Sequence, residues 1–279
     1  MDECWQYRLR KQYLESDIAA LGFNADQLSQ MRVKDFVFAN ESPSKEITDF
    51  ILKYEWLGSM AQQTSHCFTA RYRGILAGVI TLGTPNTFSK ILGPETKKME
   101  RLISRGACAS WTPKNLASAL IMWSLRWMVK NTPYRVFVGY SDSEAGEQGT
   151  IYQACSFYYL GDDFGTGYLC LYNGKWISPR SFTTFASFRK YARKYNLPWE
   201  PEWKRCHPQG INVIPKELKD RLMKIGNELR DSCEKKKIPH KRKYVCVLGA
   251  NKSEARSLVQ ALLKYTPRAT KKYPLTKTL

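Results

Sequence analysis

The sequence predicts a mixed α/β protein with a central sheet flanked by helices. Between residues 33 and 179, strand-like and helix-like segments follow one another in the order β-α-β-β-β-α-β-α-β-β, a mixture typical of α/β and α+β folds. Apolar side chains make up 43% of the 279 residues, which is enough to bury a sizeable core. No apolar run approaches the length that crosses a bilayer, so no association with a membrane is expected.

The first strands of the predicted sheet are marked by alternating apolar and polar residues. Residues 33–40 alternate in this way and indicate a strand. Ser44 precedes a run with apolar residues at helical spacing, so it is expected to cap a helix. Residues 67–72 and 75–83 are strand-like and are separated by an Arg-Gly pair, which predicts a tight hairpin.

Two strand–helix pairs follow in the predicted order. Residues 98–109 indicate a strand that ends in small residues, and residues 114–131 indicate a strongly apolar helix. Residues 134–142 indicate the next strand, and residues 149–157 a short helix. Two more strands, predicted before residue 180, complete the sheet.

An additional and mostly helical layer is predicted from residue 180 onward. Helical periodicity marks residues 181–195, 215–237 and 252–266, and a strand is indicated at residues 243–249. The predicted divisions are an N-terminal helical segment (1–32), a core (33–179) and a C-terminal extension (180–279).

The net charge of +19 lies almost entirely in the C-terminal extension. Residues 1–179 hold 19 Lys and Arg against 17 Asp and Glu, whereas residues 180–279 hold 25 against 8. Charge this uneven favours a polyanionic partner for the extension. A merely solvated basic surface is the alternative.

Aromatic residues are interleaved with the basic ones in the stretch FASFRKYARKYNLPWEPEWKR. Rings beside cations suit a nucleic acid, because bases stack on rings and phosphates pair with cations. Some of these rings must still belong to the core. The residues expected to bind DNA are Arg189, Lys190, Arg193 and Lys194.

The cysteines and the N-terminus favour a protein of a reducing compartment over a secreted one, and the spacing of cysteines and histidines weighs against a zinc site. The N-terminus lacks a signal-peptide core, so a cytoplasmic location is expected. None of the eight cysteines forms a C-x-x-C pair, and reduced thiols are expected. His66–Cys67 and Cys206–His207 are adjacent pairs, whose side chains rarely reach one metal ion.

Residues 103–118, ISRGACASWTPKNLAS, combine a strand end, small residues and the start of a helix. The first amides of a helix have no acceptor within the helix, and the helix dipole adds positive potential, so an anion fits there. The pyrophosphate of a nucleotide-like cofactor is one such anion. Taken alone, the pattern is a weak signal, and an ordinary helix cap is the better interpretation.

Together with this turn, two further stretches of the sequence resemble a known family. They are YSD with GTIYQA, within residues 140–154, and KYVCVLGANKSEARSLVQAL, at residues 243–262. The order of elements and these motifs resemble the GNAT acyltransferase superfamily and, more closely, its DNA-modifying branch, the phage Mom proteins. The resemblance spans residues 33–265. It implies a GNAT-like sheet in which two parallel strands splay apart, with acetyl-CoA or a related acyl-CoA bound between them.

The resemblance also implies which residues hold the cofactor. The strand ending at Arg105 would pair its backbone with the pantetheine arm, and Arg105 itself would hold the cofactor or the site. Backbone amides from Trp111 to Ala117 would hold the pyrophosphate, and Lys114 would add charge. Ser118 would cap the helix or touch a phosphate. The expected cofactor-binding residues are Ser104, Arg105, Trp111, Lys114, Asn115, Ala117 and Ser118.

Tyr152 and Asp142 are the first candidates for catalysis. Tyr152, in GTIYQA, matches the GNAT tyrosine that faces the thioester sulfur, where a phenol can protonate the departing thiolate or orient the carbonyl. A core aromatic on a short helix is the alternative. Asp142 ends a strand at the carboxyl edge of the sheet, where open α/β sheets bind ligands. It could accept an amine proton or bind a metal, and a loop cap is the equal alternative.

The chain departs from the Mom-like pattern at two positions. In that pattern a His-Tyr pair often ends the first helix, and a His precedes the Gly of the GTIYQA segment. Here these places read Glu55–Trp56 and Glu147–Gln148. Glu55 and Glu147 are therefore expected to act as bases or hard-metal ligands with Asp142. The replacements weigh against a metal site built on imidazole, so no metal ligand is assigned and the need for a metal is left open.

The expected function is acyl-CoA-dependent modification of an amine in phage DNA, which protects the DNA from host nucleases in the bacterial cytoplasm. The amine belongs to adenine or to a hypermodified pyrimidine, and plain acyl transfer competes with the methylcarbamoylation of adenine proposed in this family. A base inside a duplex cannot reach such a cleft, so the DNA is a duplex with a flipped base or a single strand. The alternatives are acetylation of RNA or protein and a catalytically dead nucleic-acid-binding scaffold. The oligomeric state is left open.

Overall fold

The computed structural model describes residues 4–61, 63–85, 87–204 and 210–274, so that Cys206 and His207 lie outside the described residues. The chain forms two compact units. The first is drawn from Met1–Asp163 and Lys241–Leu279, and the second from Phe164–His240. The second unit is therefore an insertion in the sequence of the first.

The first unit begins with two helices and an antiparallel group of strands. The helices are α1 (Trp5–Leu21) and α2 (Ala25–Gln30), separated at Gly22, whose φ of +66° is left-handed. The next elements are β1 (Phe36–Glu41), α3 (Lys45–Tyr54), β2 (Thr64–Tyr72), β3 (Ile75–Gly83), the short α4 (Thr96–Met99) and β4 (Glu100–Cys108). They are followed by α5 (Leu116–Asn131), β5 (Val136–Ser141), α6 (Thr150–Ala154) and β6 (Tyr158–Phe164).

In its described residues, the second unit contains a small antiparallel sheet and two α-helices. Its elements are β7 (Tyr168–Tyr172), β8 (Lys175–Ile177), α7 (Phe185–Lys194), α8 (Lys216–Asp231) and β9 (Lys235–Lys237), and its sheet has the order β8-β7-β9. The predicted helix over residues 215–237 is wrong at its end. The helix ends at Asp231. Lys235–Lys237, which were predicted to belong to it, instead form a strand whose backbone pairs with Tyr168–Cys170 of β7.

The chain then returns to the first unit through β10 (Lys241–Val247) and α9 (Lys252–Tyr265). The main sheet has the order β1-β2-β3-β4-β5-β10-β6, so β10 lies between two strands that precede it in the chain and from which the second unit separates it. The predicted strand at residues 243–249 does form, but in the main sheet rather than in an added layer. Residues 243–247 are buried, as an inner strand covered on both faces requires. The compact units thus differ in extent from the predicted divisions, whose roles stay predictions.

Local signals in the sequence explain the edges of the first unit. The Ser44 hydroxyl accepts a hydrogen bond from the Ile47 amide at 3.2 Å, which confirms the predicted helix cap. Arg73 and Gly74 join β2 to β3 with φ values of +49° and +84°, and a two-residue hairpin turn of type I′ needs positive φ at both positions.

The core of the first unit lies between the sheet and α5. Buried residues of this helix recur at helical spacing and pack over β2 and β3. They are Leu116, Leu120, Ile121, Ser124, Leu125, Met128 and Val129. The mixed α/β fold with a helix-flanked sheet is confirmed. Among the described residues, no helix combines the length and apolarity needed to cross a membrane.

Candidate active site

The parallel strands β4 and β5 separate toward their carboxyl ends. They are paired over Glu100–Leu102 of β4 and Val136–Val138 of β5. Beyond these residues β4 continues to Cys108 along β3, whereas β5 continues to Ser141 along β10. This divergence is the splayed pair of strands that the sequence predicted.

Tyr152 of α6 lies against the separated end of β5. A Cβ atom added at Gly139 would come within 2.5 Å of the Tyr152 ring, so the glycine makes room for the phenol. The phenol oxygen lies 3.5 Å from the Tyr140 carbonyl oxygen. Burial, reinforced by the charge of Glu147, raises the pKa of Tyr152 above its usual value. The phenol therefore keeps its proton at neutral pH and can act as a proton donor.

Tyr244 of β10, the strand partner of Gly139, supports the Tyr152 ring, a role that sequence reasoning missed. The two rings stack with centroids 5.2 Å apart, and the Tyr244 hydroxyl donates to the Gln148 carbonyl at 3.0 Å. Gly149 has φ of +70°, and a Cβ there would lie 2.4 Å from the Tyr244 ring. The only available signal was the KYVCVLG stretch, which gives no hint of its partner along the chain.

Glu55 follows the last residue of α3 and is 7% exposed. Its Oε2 accepts a hydrogen bond from the Leu57 amide at 3.0 Å, and the Arg105 Nε lies 3.8 Å from the same oxygen. Burial raises the pKa of Glu55 to about 7, although Arg105 and the Leu57 amide oppose the rise. A carboxyl group with such a pKa can accept or release a proton near neutral pH.

Glu147 completes a pair of carboxyl groups. Its Oε1 accepts a hydrogen bond from the Trp56 indole at 3.0 Å, and its Oε2 accepts one from the Asp142 amide at 2.8 Å. Burial raises the pKa of Glu147 despite these bonds, and the charge of Glu147 adds to the raised pKa of Glu55. The two positions where the chain departs from the Mom-like pattern are therefore neighbours in space.

Asp142 is held by an ion pair and by its own loop. Its Oδ2 lies 2.5 Å from the Lys241 Nζ, and its Oδ1 accepts a hydrogen bond from the Glu144 amide at 3.1 Å. The carboxylate thus caps the loop after β5, which was one of the two predicted alternatives. Its role as a proton acceptor or metal ligand stays a prediction.

Arg105 ties β4 to the segment after α3. Its Nε donates to the Ser59 carbonyl at 2.6 Å, and one terminal nitrogen donates to the Ser104 carbonyl at 2.6 Å. The Ser104 hydroxyl lies 3.0 Å from the Thr81 hydroxyl on β3. Together with the contact to Glu55, these bonds suit the predicted role of Arg105 in holding the site.

The start of α5 offers backbone amides where the pyrophosphate was predicted. Asn115 is the N-cap, and Ala117 and Ser118 are the second and third helical residues, whose amides have no acceptor inside the helix. The side chains of Lys114 and Asn115 are exposed, which leaves them accessible to an anion. The Ser118 hydroxyl donates to the Asn115 carbonyl at 3.1 Å.

Trp111 enters this turn with its backbone alone. Its side chain is 6% exposed and lies in an aromatic cluster with Phe23 and Phe36, at centroid distances of 5.1 and 6.3 Å. The next amide, of Thr112, donates to the Ala109 carbonyl at 3.3 Å and closes the turn. Two of the predicted amides between Trp111 and Ala117 are thus already engaged, because the Leu116 amide also donates, to the Pro113 carbonyl at 3.1 Å. Pro113 itself has no N–H to offer.

The four predicted DNA-binding residues share the exposed side of α7. Phe188, Tyr191 and Ala192 are its buried residues, and Trp199 and Trp203 pack against the same small core. Most rings of the interleaved stretch are therefore core residues. Arg189, Lys190, Arg193 and Lys194 are all exposed, and Tyr195 remains 43% exposed beside them. DNA binding by these residues stays a prediction.

No three histidine, cysteine or acidic side chains are arranged to hold a metal ion in the described part of the chain. The carboxyl groups of Glu55, Glu147 and Asp142 are instead engaged by amides, by an indole and by cations.

Replacing Glu55 with glutamine is expected to stabilise the protein at pH 8 by up to about 3 kcal/mol. The pKa of Glu55 is about 7 in the folded protein and near 4.5 in the unfolded chain. Between pH 4.5 and about pH 7, Glu55 is protonated in the folded protein but ionised in the unfolded chain. The wild type therefore loses stability as the pH rises through this range. Urea unfolding of both proteins at pH 5 and pH 8 measures the difference, with the exposed Glu144→Gln as control. An equal difference at both pH values would contradict the raised pKa.

A sequence profile of the Mom protein family matches residues 37–260. No curated protein matches the chain. Among solved structures, it is similar to a GNAT family acetyltransferase from Elizabethkingia anophelis with acetyl-CoA bound, at 15% identity and a TM-score of 0.34, over 77% of this chain and 99% of that one.

Two further solved structures show a similar relation. A Bacillus subtilis acetyltransferase in complex with CoA is 15% identical, with a TM-score of 0.35 over 51% of this chain and 93% of that one. A spermidine N-acetyltransferase from Vibrio cholerae is 13% identical, with a TM-score of 0.36 over 52% of this chain and 90% of that one.

Proposed function

This chain belongs to the Mom protein family, and from that premise we propose that it transfers an acyl group from an acyl-CoA to an amine on a base of phage DNA. One arrangement carries the proposal. Tyr152 lies against Gly139 at the separated end of β5, and the buried carboxyl group of Glu55, with a pKa of about 7, lies 3.8 Å from Arg105 of the diverging strand β4. A proton donor and a proton acceptor are what acyl transfer to an amine requires.

The residues around the opening suit an acyl-CoA. The β4 backbone beyond Leu102 is available to the amide groups of a pantetheine arm, since β5 has diverged from it. The amides of Ala117 and Ser118, with the exposed Lys114 nearby in sequence, suit a pyrophosphate. When bound, the acyl-CoA supplies a thioester carbonyl carbon that an amine nitrogen can attack.

Each proton in this transfer has a place on the chain. Glu55, as a carboxylate, takes one proton from the amine nitrogen as the C–N bond forms. Tyr152 gives its phenolic proton to the sulfur as the C–S bond breaks. The products are an N-acylated base and a CoA thiol, and a proton passes from Glu55 back to Tyr152 through solvent between turnovers. The phenol is protonated before each turnover, because burial keeps the pKa of Tyr152 above its usual value.

DNA is the proposed substrate for two reasons. The many basic side chains suit a polyanion, and a nucleic acid is a polyanion whose bases carry amines. Lys241 and Arg242 adjoin the carboxyl groups, through bonds to Asp142 and to the Glu147 carbonyl. The exposed cations of α7 add charge in the second unit. Buried carboxyl groups cannot reach a stacked base, so the target base is flipped out or single-stranded.

Mass spectrometry of nucleosides tests the proposal. DNA from cells that express the chain is digested and compared with DNA from cells that express Tyr152→Phe. We expect a nucleoside heavier by one acyl group with the wild type and a large decrease with the variant. Unmodified DNA together with acetylated RNA or protein would transfer the activity to another substrate. Calorimetry with acetyl-CoA separates both results from a dead scaffold, which would bind no cofactor.

A further inference from the structure

The N-terminal helix α1 reaches the turn before α5, although it lies outside the range matched by the family profile. One terminal nitrogen of the Arg10 guanidinium donates two hydrogen bonds, to the Ser110 carbonyl at 3.2 Å and to the Thr112 carbonyl at 3.0 Å. These carbonyls stand on either side of Trp111. A single side chain from a distant part of the sequence therefore fixes two peptide groups of this turn.

Fixing a carbonyl also fixes the amide that shares its peptide plane. The described peptide bonds are trans, and in a planar trans peptide the C=O and N–H point in opposite directions. Because the Ser110 carbonyl points toward Arg10, the Trp111 N–H points away from α1. The Thr112 carbonyl is followed by Pro113, which has no N–H. Arg10 thus sets the direction of one amide, that of Trp111.

Asp17, about two turns further along the same helix, makes a second connection. It is 4% exposed and accepts hydrogen bonds from the Ser110 hydroxyl at 2.5 Å, the Tyr54 hydroxyl at 2.7 Å and Lys53 Nζ at 2.6 Å. Burial opposes its charge, yet these bonds hold the pKa of Asp17 below its usual value. A buried carboxylate with three donors is costly to disturb, so the position of Ser110 is tied to α1 and to the end of α3.

We propose that α1 is a positioning element of the acyl-CoA site: Arg10 and Asp17 hold residues 110–112 so that the Trp111 amide and the start of α5 face the pyrophosphate together. This rests on the proposed function for the identity of the ligand. The clasp itself, Arg10 with Asp17, is a property of the chain alone. The C-cap of α3 at Glu55 directly follows Tyr54, so the same clasp connects the phosphate turn to the carboxyl group proposed as the base.

The test compares Arg10→Ala and Arg10→Lys with Arg8→Ala in the full chain. Arg8 is an exposed cation on the same helix whose guanidinium lies over Trp5, so it controls for the loss of charge. Calorimetry with acetyl-CoA is expected to show roughly tenfold weaker binding for Arg10→Ala, the scale of a lost charge-assisted hydrogen bond. Arg10→Lys keeps the charge but replaces the fixed N–H directions of the planar guanidinium with a rotating ammonium group, so its affinity should lie between those of Arg10→Ala and the wild type.

Hydrogen exchange of the segment around residues 108–118, without cofactor, tests the clasp separately. Faster exchange in Arg10→Ala, with unchanged exchange in Arg8→Ala, is the expected result. Wild-type affinity for acetyl-CoA or wild-type exchange in Arg10→Ala would each overturn the proposal. A wild type that binds no acetyl-CoA would instead refute the proposed function, and the positioning role with it. Asp17→Asn gives a second route to the same readouts if Arg10→Ala fails to fold.

Discussion

Replacing Tyr152 with phenylalanine is expected to slow DNA modification about 100-fold, the usual scale for the loss of a general acid. The substitution removes one oxygen and keeps the ring that stacks on Tyr244 and lies against Gly139. The phenol makes only a long contact, 3.5 Å, to the Tyr140 carbonyl, so little stability is at stake. The effect should therefore appear in kcat, with acetyl-CoA affinity unchanged.

The matched control for this substitution is Tyr159→Phe. Tyr159 also packs against Tyr244, at a centroid distance of 5.5 Å, and burial likewise raises the pKa of its phenol. It belongs to β6 and has no place in the proposed transfer. Single-turnover rates with saturating acetyl-CoA compare the two variants. Equal rates for Tyr152→Phe and the wild type would remove Tyr152 from the chemistry.

Affinity for DNA is expected to fall on the order of a thousandfold between about 50 and 200 mM salt, if about six phosphates are neutralised. The reason is the release of counterions when lysines and arginines pair with phosphates. The four exposed cations of α7 should supply most of these ion pairs. Changing Arg189, Lys190, Arg193 and Lys194 to glutamine should reduce the slope of log affinity against log salt by roughly 0.9 for each phosphate that is no longer neutralised.

Two comparisons make this experiment specific. Lys235, Lys236 and Lys237 are equally exposed but belong to strand β9, and their replacement by glutamine should change the slope less. Acetyl-CoA binding should stay at the wild-type level in both sets, because none of the predicted cofactor-binding residues is altered. If the α7 set leaves the slope unchanged, α7 does not hold the DNA, and an RNA or protein substrate becomes the better interpretation.

Much of the fold follows from short-range signals that the sequence displays. Ser44 before an amphipathic run, and an Arg-Gly pair between two alternating segments, are each decided within about ten residues by capping and turn chemistry. The position of β10 is decided differently. Its pairing with β5 joins Arg242 to Ser141, and nothing in either stretch specifies the partner. Likewise, the lysines of β9 are indistinguishable from a solvated helix end until β7 is beside them.

The candidate site likewise contains residues that the sequence predicted and residues that depend on contacts remote in the chain. Family motifs predicted the residues Tyr152, Asp142, Glu55 and Glu147, and the structure places them in one region through the bond between Trp56 and Glu147. Their roles were not separable in sequence, because the pKa of Glu55 depends on burial and on Arg105. Tyr244 and Arg10 could not be found at all. Each acts on residues that are remote in the chain.

The place of β10 in the middle of the main sheet has a consequence for how the protein is made. Synthesis delivers β5 and β6 early, yet the strand between them follows an insertion of more than seventy residues, Phe164–His240. Until that strand emerges, β5 and β6 have unpaired edges, which are sites for aggregation or for chaperone binding. Closing so long a loop is slow and entropically costly, so the sheet is completed late in folding. Since Tyr244 arrives on this strand, the support for the Tyr152 ring is assembled only when the chain is nearly finished.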